Sequence, residues 1–100
     1  MRICIDIDGV IAKGTDNYPN YKDCGVMLGA KEAIDNFLSQ GYFIILYTSR
    51  YEEDRKVTEE WLRNNEILYD FLVMRKPYAD IYIDDKGYKF TGWEETCKSI

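Results

Sequence analysis

The sequence predicts a three-layer α/β domain: a parallel sheet with helices on both faces. Three observations lead there. Strand-like and helix-like segments alternate along the chain, the pattern of strands joined by crossover helices. Tyr42–Tyr47 is a continuous apolar run of strand length, as expected of a strand buried on both faces. Polar clusters directly follow the predicted strands: Asp6-Ile7-Asp8-Gly9, Thr48-Ser49-Arg50, Arg75-Lys76 and Asp84-Asp85. In a parallel sheet these clusters share one end, which is where such sheets bind ligands.

Arg2–Ile7 sets Ile3, Ile5 and Ile7 in alternation with Cys4 and Asp6 and opens the chain as a β-branched strand. Residues 10–28 carry turn-forming Gly, Asp, Asn and Pro with several tyrosines, and read as a loop insert with a short hairpin or flap. Ala30, Ala33, Ile34, Phe37 and Leu38 fall on one helical face, and Gly41 is placed to end that helix. After the Tyr42–Tyr47 strand, Glu52–Asn64 reads as a helix with Val57, Trp61 and Leu62 inward. Phe71–Met74 and Ile81–Ile83 read as two further strands. Gly92 followed by Trp93, Cys97 and Ile100 suggests a short terminal helix.

The chain has 100 residues, 46% of them hydrophobic and 15% aromatic, which suits a single domain with its own core. Eighteen acids against 13 bases give a net charge of -5 and no basic tract, so phosphate-backbone binding to nucleic acid is not expected. There is no histidine. That excludes Ser-His-Asp and Cys-His nucleophile pairs, imidazole bases and His-ligated zinc. The three cysteines, at 4, 24 and 97, have no CxxC spacing and form neither a disulfide framework nor a zinc site; Cys4 and Cys97 are expected in the core. The first residues lack the apolar run of a signal peptide, and no apolar stretch is long enough to span a bilayer. A soluble, cytoplasmic protein with no membrane or nucleic-acid partner is the expectation.

Chemistry must then run on carboxylates, lysine, hydroxyls or an oxygen-bound metal. Asp6 and Asp8, two apart on an extended segment, leave the same face roughly 6–7 Å apart. Asp84 and Asp85 end a second strand. Up to four carboxylates in one cleft repel unless a cation sits among them, and oxygen-only ligands favour Mg²⁺. Lys76 adds a positive charge and Thr48 a hydroxyl, completing a site for a phosphate dianion. Each piece also has a plainer role. Asp8-Gly9 and Asp84-Asp85-Lys86-Gly87 suit turns, Thr48-Ser49-Arg50 suits a helix N-cap, and Lys76 suits a solvated loop.

The order Asp6-x-Asp8-Gly9, an apolar strand ending in Thr48, then Lys76, then an apolar strand ending in Asp84-Asp85 resembles the four motifs of the haloacid dehalogenase (HAD) superfamily of phosphohydrolases. The run Lys76-Pro77-Tyr78-Ala79-Asp80-Ile81-Tyr82-Ile83-Asp84-Asp85-Lys86 is similar to its small capless members, including phosphatases of capsule biosynthesis clusters. The resemblance implies a Rossmann-like fold and a Mg²⁺-dependent phosphomonoesterase working through an aspartyl-phosphate. It implies Asp6 as nucleophile and metal ligand, and Asp8 as general acid and base with its backbone carbonyl on the metal. Thr48, Ser49 and Gly9 would bind the phosphoryl oxygens, Lys76 would neutralise nucleophile and phosphate, and Asp84 with Asp85 would hold Mg²⁺. Val10 departs from the threonine common after the glycine, and the chain is short after Asp85, so few further strands are expected. The insert at 10–28 is too short for a cap domain, and a small phosphorylated substrate, a sugar phosphate by analogy, is implied.

Three other readings stand beside this one. A receiver-type phospho-acceptor module uses the same groups around Mg²⁺, but its acid pair comes first in the chain, whereas Asp84-Asp85 comes last. A Toprim-like nucleic-acid module needs an upstream Glu and fits the acidic balance poorly. A non-catalytic binding module on the same fold would have no need to keep Asp6, Asp8, Lys76 and Asp84 together.

Overall fold

A computed structural model describes all 100 residues, Met1–Ile100. The ordered elements are β1 (Arg2–Asp6), α1 (Ala30–Ser39), β2 (Phe43–Tyr47), α2 (Arg55–Asn64), β3 (Phe71–Val73) and α3 (Trp93–Ser99). The strands form one parallel sheet in the order β1-β2-β3. In its register Ile5 stands opposite Leu46, Asp6 opposite Tyr47, and Tyr47 opposite Val73. The strand ends are therefore level, and the residues that follow them meet at one edge.

The alternation of the strands decides what is buried. Ile5 and Ile7, Ile44 and Leu46, and Leu72 and Met74 face a single core that also takes Ala33, Ile34 and Phe37 from α1, Trp61 and Leu62 from α2, and Trp93 from α3. Each such side chain withdrawn from water contributes about 1.5–3 kcal/mol before entropy is counted. Gly29 precedes α1 with φ +86, and a Cβ there would stand 3.1 Å from the Cβ of Trp93, so glycine is required on both grounds. The indole N–H groups of Trp61 and Trp93 donate to the carbonyls of Cys24 and Val10 at 2.8 Å, which ties the insert to both helices.

The parallel α/β sheet is as the sequence predicts, but the helices cover one of its faces. With strands in the order 1-2-3 and right-handed crossovers, α1 and α2 must lie on the same side. The opposite face leaves Cys4, Phe43, Phe71 and Val73 exposed. Covering it requires the chain to reverse across β1, and the expected strand Ile81–Ile83 does not form: Ile81 is 75% and Ile83 94% exposed. Local bonds win there. The Tyr82 hydroxyl donates to the Pro77 carbonyl and accepts from Ala79 N–H, and Asp84 Oδ1 accepts from the N–H groups of Lys86 and Gly87. Cys4 and Cys97 are exposed rather than core residues, Cys4 because it lies on the bare face.

The insert is not a free flap. Ile11 and Ala12 are fully buried, and Lys13 N–H to Gly25 carbonyl (2.9 Å) with Met27 N–H to Ile11 carbonyl (2.7 Å) make a narrow antiparallel bridge. On α2 the inward positions are Thr58, Trp61 and Leu62, with Thr58 in place of the expected Val57. No helix is long and apolar enough to cross a membrane.

Candidate active site

β1 ends on Asp6. Its Oδ1 accepts the Ile7 N–H at 2.9 Å, and its Oδ2 lies 3.3 Å from Nζ of Lys76. Lys76 is carried there by the exit of β3, where its own N–H donates to the Thr48 carbonyl at 2.8 Å and locks the ends of β2 and β3 together. The ammonium also lies over the rings of Tyr47 and Tyr82, 4.3 and 4.2 Å from their centroids. Burial pushes the Asp6 carboxyl above its ordinary range, outweighing the opposing pull of Lys76. For Lys76 burial works downward, but the Asp6 carboxylate and Tyr47 together hold the ammonium above its usual range. Asp6 is thus a carboxylate partly withdrawn from water and facing the Lys76 cation.

Asp8 sits just beyond, before Gly9, which has φ +87 and donates its N–H to the Ala12 carbonyl at 2.9 Å. Arg50 grips Asp8 with two bonds: Nη2–H to Oδ1 at 2.7 Å and Nε–H to Oδ2 at 3.0 Å. Asn17 Nδ2–H adds a third at 2.8 Å to Oδ1. Arg50 itself is 3% exposed. Its Nη1–H donates to Thr58 Oγ1 at 3.0 Å, and its guanidinium carbon lies 3.9 Å from the centre of the Tyr21 ring. The order of the motifs brings Arg50 to this edge but does not show that Asn17, Thr58 and Tyr21 gather around it. The available signal was weak: Arg50 follows an apolar strand, and Thr58 keeps helical spacing with Trp61 and Leu62.

The remaining predicted residues are placed as follows. Thr48 has 0% exposure, and its Oγ1 accepts the Arg50 N–H at 3.2 Å; it caps no helix. Ser49 is half-buried beside it. Asp84 and Asp85 are exposed, the first bonded to its own turn and the second 3.7 Å from Lys86 Nζ. They do not converge on Asp6 and Asp8, and no three acidic or cysteine side chains are grouped to hold a metal. Arg50 and Asn17 take three of the roughly four lone-pair positions of the Asp8 carboxylate, so Asp6 and the Asp8 carbonyl, itself free of hydrogen bonds, are the main oxygen donors left. In this arrangement the donors fall short of a Mg²⁺ site.

A structure of a target protein from Vibrio cholerae is similar over 96% of this chain and 86% of its own, with 20% identity and a TM-score of 0.76. D,D-heptose 1,7-bisphosphate phosphatase from B. bronchiseptica, complexed with magnesium and phosphate, matches 79% of this chain and 51% of its own at 17% identity and TM-score 0.60. At those identities the likeness establishes the fold, which is HAD-like and Rossmann-type. A chain of the Pnkp1/Rnl/Hen1 complex matches at 26% identity and TM-score 0.64, over 84% of this chain and 30% of its own. No curated protein matches the sequence. The model of the family described as PITM 1-3, LNS2 domain, matches residues 3–97, nearly the whole length, and the chain belongs to that family.

Proposed function

We propose that the protein is a phosphomonoester hydrolase in which Asp6 is the nucleophile and Asp8 the general acid and base. One observation carries this reading: at the level ends of parallel strands, a partly buried carboxylate facing Lys76 stands beside a second carboxylate held by Arg50. An Asp6 oxygen attacks phosphorus, the bond to the leaving oxygen breaks, and Asp8 gives that oxygen its proton. Water then attacks the aspartyl-phosphate, Asp8 takes the water's proton, and phosphate departs. Lys76 lowers the cost of bringing a dianion against Asp6. HAD-like phosphatase structure among the neighbours and membership of the LNS2 family support the phosphatase class.

Magnesium is proposed as cofactor from Asp6 and the Asp8 carbonyl at the end of β1 and from the magnesium bound in a neighbouring phosphatase. Asp84 and Asp85 would have to leave their turn to join Asp6 in holding it. For the substrate we propose a sugar phosphate or another small phosphorylated metabolite: the insert builds no cap, and the heptose phosphatase acts on a phosphorylated sugar. The acidic balance speaks against a nucleic acid.

The test separates the aspartates. Asp8→Asn mixed with an aryl phosphate should gain one phosphoryl group by intact mass, mapped to Asp6, because a good leaving group needs no acid while hydrolysis of the intermediate needs the base. Asp6→Asn should gain none. If neither variant nor the wild type ever carries phosphate, the nucleophile assignment fails.

A further inference from the structure

We propose that Arg50 is the positioning residue for Asp8, and that its grip leaves Oδ2 as the oxygen that carries the proton. This rests on the phosphatase reading, which makes Asp8 the proton carrier. A carboxylate offers about four lone-pair positions, two on each oxygen. Oδ1 accepts from both Arg50 Nη2–H (2.7 Å) and Asn17 Nδ2–H (2.8 Å). Oδ2 accepts from Arg50 Nε–H alone (3.0 Å), which leaves one position open. The proton on that position passes to the leaving oxygen as the P–O bond breaks. It is replaced there by a proton from the water that attacks the aspartyl-phosphate, while Arg50 keeps its charge throughout.

The grip is rigid because the guanidinium is itself held on every side. Thr58 accepts from Nη1, the Tyr21 ring covers its face, and the side chain is 1% exposed against 20% for that of Asp8. A planar fork bound through two bonds sets both the distance and the plane of the carboxylate, which a lysine in the same place would not do. Asn17 and Tyr21 both belong to the insert, so the 10–28 segment serves as scaffold for the acid rather than as a lid.

The experiment compares an alkyl phosphate with a nitrophenyl phosphate in wild type, Arg50→Ala, Arg50→Lys and Asn17→Ala. Misplacing the acid should cost Arg50→Ala on the order of 10²-fold in kcat on the alkyl ester, with KM little changed. Phosphorylation of Asp6 by the nitrophenyl ester should be largely retained. Added guanidinium should restore turnover of Arg50→Ala, Arg50→Lys should fail to, and Asn17→Ala should show a smaller loss with the same dependence on leaving group. Equal losses in the rate of Asp6 phosphorylation by the two esters, without guanidinium rescue, overturn the proposal and leave the phosphatase reading standing. Should Arg50→Ala not fold, Asn17→Ala decides by the same comparison. A wild type that hydrolyses neither ester refutes the phosphatase reading itself. The grip is then judged by melting temperature: losses for Asp8→Asn and Arg50→Ala that fall well short of adding support it, and additive losses overturn it.

Discussion

Replacing Thr58 by valine tests the buried polar network at its least conspicuous member. Valine matches threonine in volume and in its branched Cβ, so helix α2 should be undisturbed. What changes is one acceptor. Arg50 is 3% exposed, and its Nη1–H, now 3.0 Å from the Thr58 hydroxyl, would face a methyl group with no water at hand. No buried side-chain nitrogen or oxygen lacks a partner in the native structure, so the variant would create the first. A hydrogen bond to a charged group contributes about 1.5–3 kcal/mol. In a domain of this size each kcal/mol moves Tm by about 4–8 °C, so Thr58→Val should melt roughly 10 °C lower. Thr58→Ser keeps the acceptor and loses one methyl, about 0.8 kcal/mol, and should fall only about half as far. Thermal and urea unfolding followed by circular dichroism measure both. A valine variant as stable as wild type, or more stable than the serine variant, would refute the claim that Thr58 holds Arg50 by a hydrogen bond.

Lys76→Ala should lose on the order of 10²-fold or more in phosphatase activity while Lys86→Ala stays near wild type, since Lys76 pairs with Asp6 and Lys86 lies in an exposed turn; equal losses would mean the wrong lysine. Activity should vanish with a chelator, return with Mg²⁺ and return poorly with Ca²⁺, whose larger and looser shell can engage both oxygens of Asp6; full activity in excess chelator would remove the metal from the proposal. Burial raises the Tyr21 phenol above its ordinary 10.0 despite the Arg50 cation beside it. A raised folded value means that its contribution to stability is complete below pH 10.0 and is lost as pH rises through the folded value. Tyr21→Phe, which keeps the ring under Arg50, should therefore flatten the alkaline loss of stability in melting curves taken across that window. An unchanged alkaline slope would count against a buried phenol at this position.

Much of this protein is legible before folding is considered. The β-branched run at the start, the apolar Tyr42–Tyr47 segment and the helical spacing of Ala30, Ala33, Ile34 and Phe37 are local patterns, and local patterns carry the period of the element they form. Parallel pairing then follows from the crossover lengths, and with it the meeting of Asp6 and Lys76 across 70 positions. Tertiary structure decided what those patterns leave open. Ile81–Ile83 has strand composition, yet a segment of that length is outbid by the turns that Tyr82 and Asp84 make with their own neighbours. Thr48 has the right place in the order but lies in the core, because strand alternation turns its side chain to the face that α1 and α2 cover. The position of Arg50 after an apolar strand brings it to the ligand edge, but nothing local says that it is buried. Its burial depends on Asp8, Thr58 and Tyr21 arriving from three separate parts of the chain, and a charge leaves water only when partners from such distant places satisfy it together.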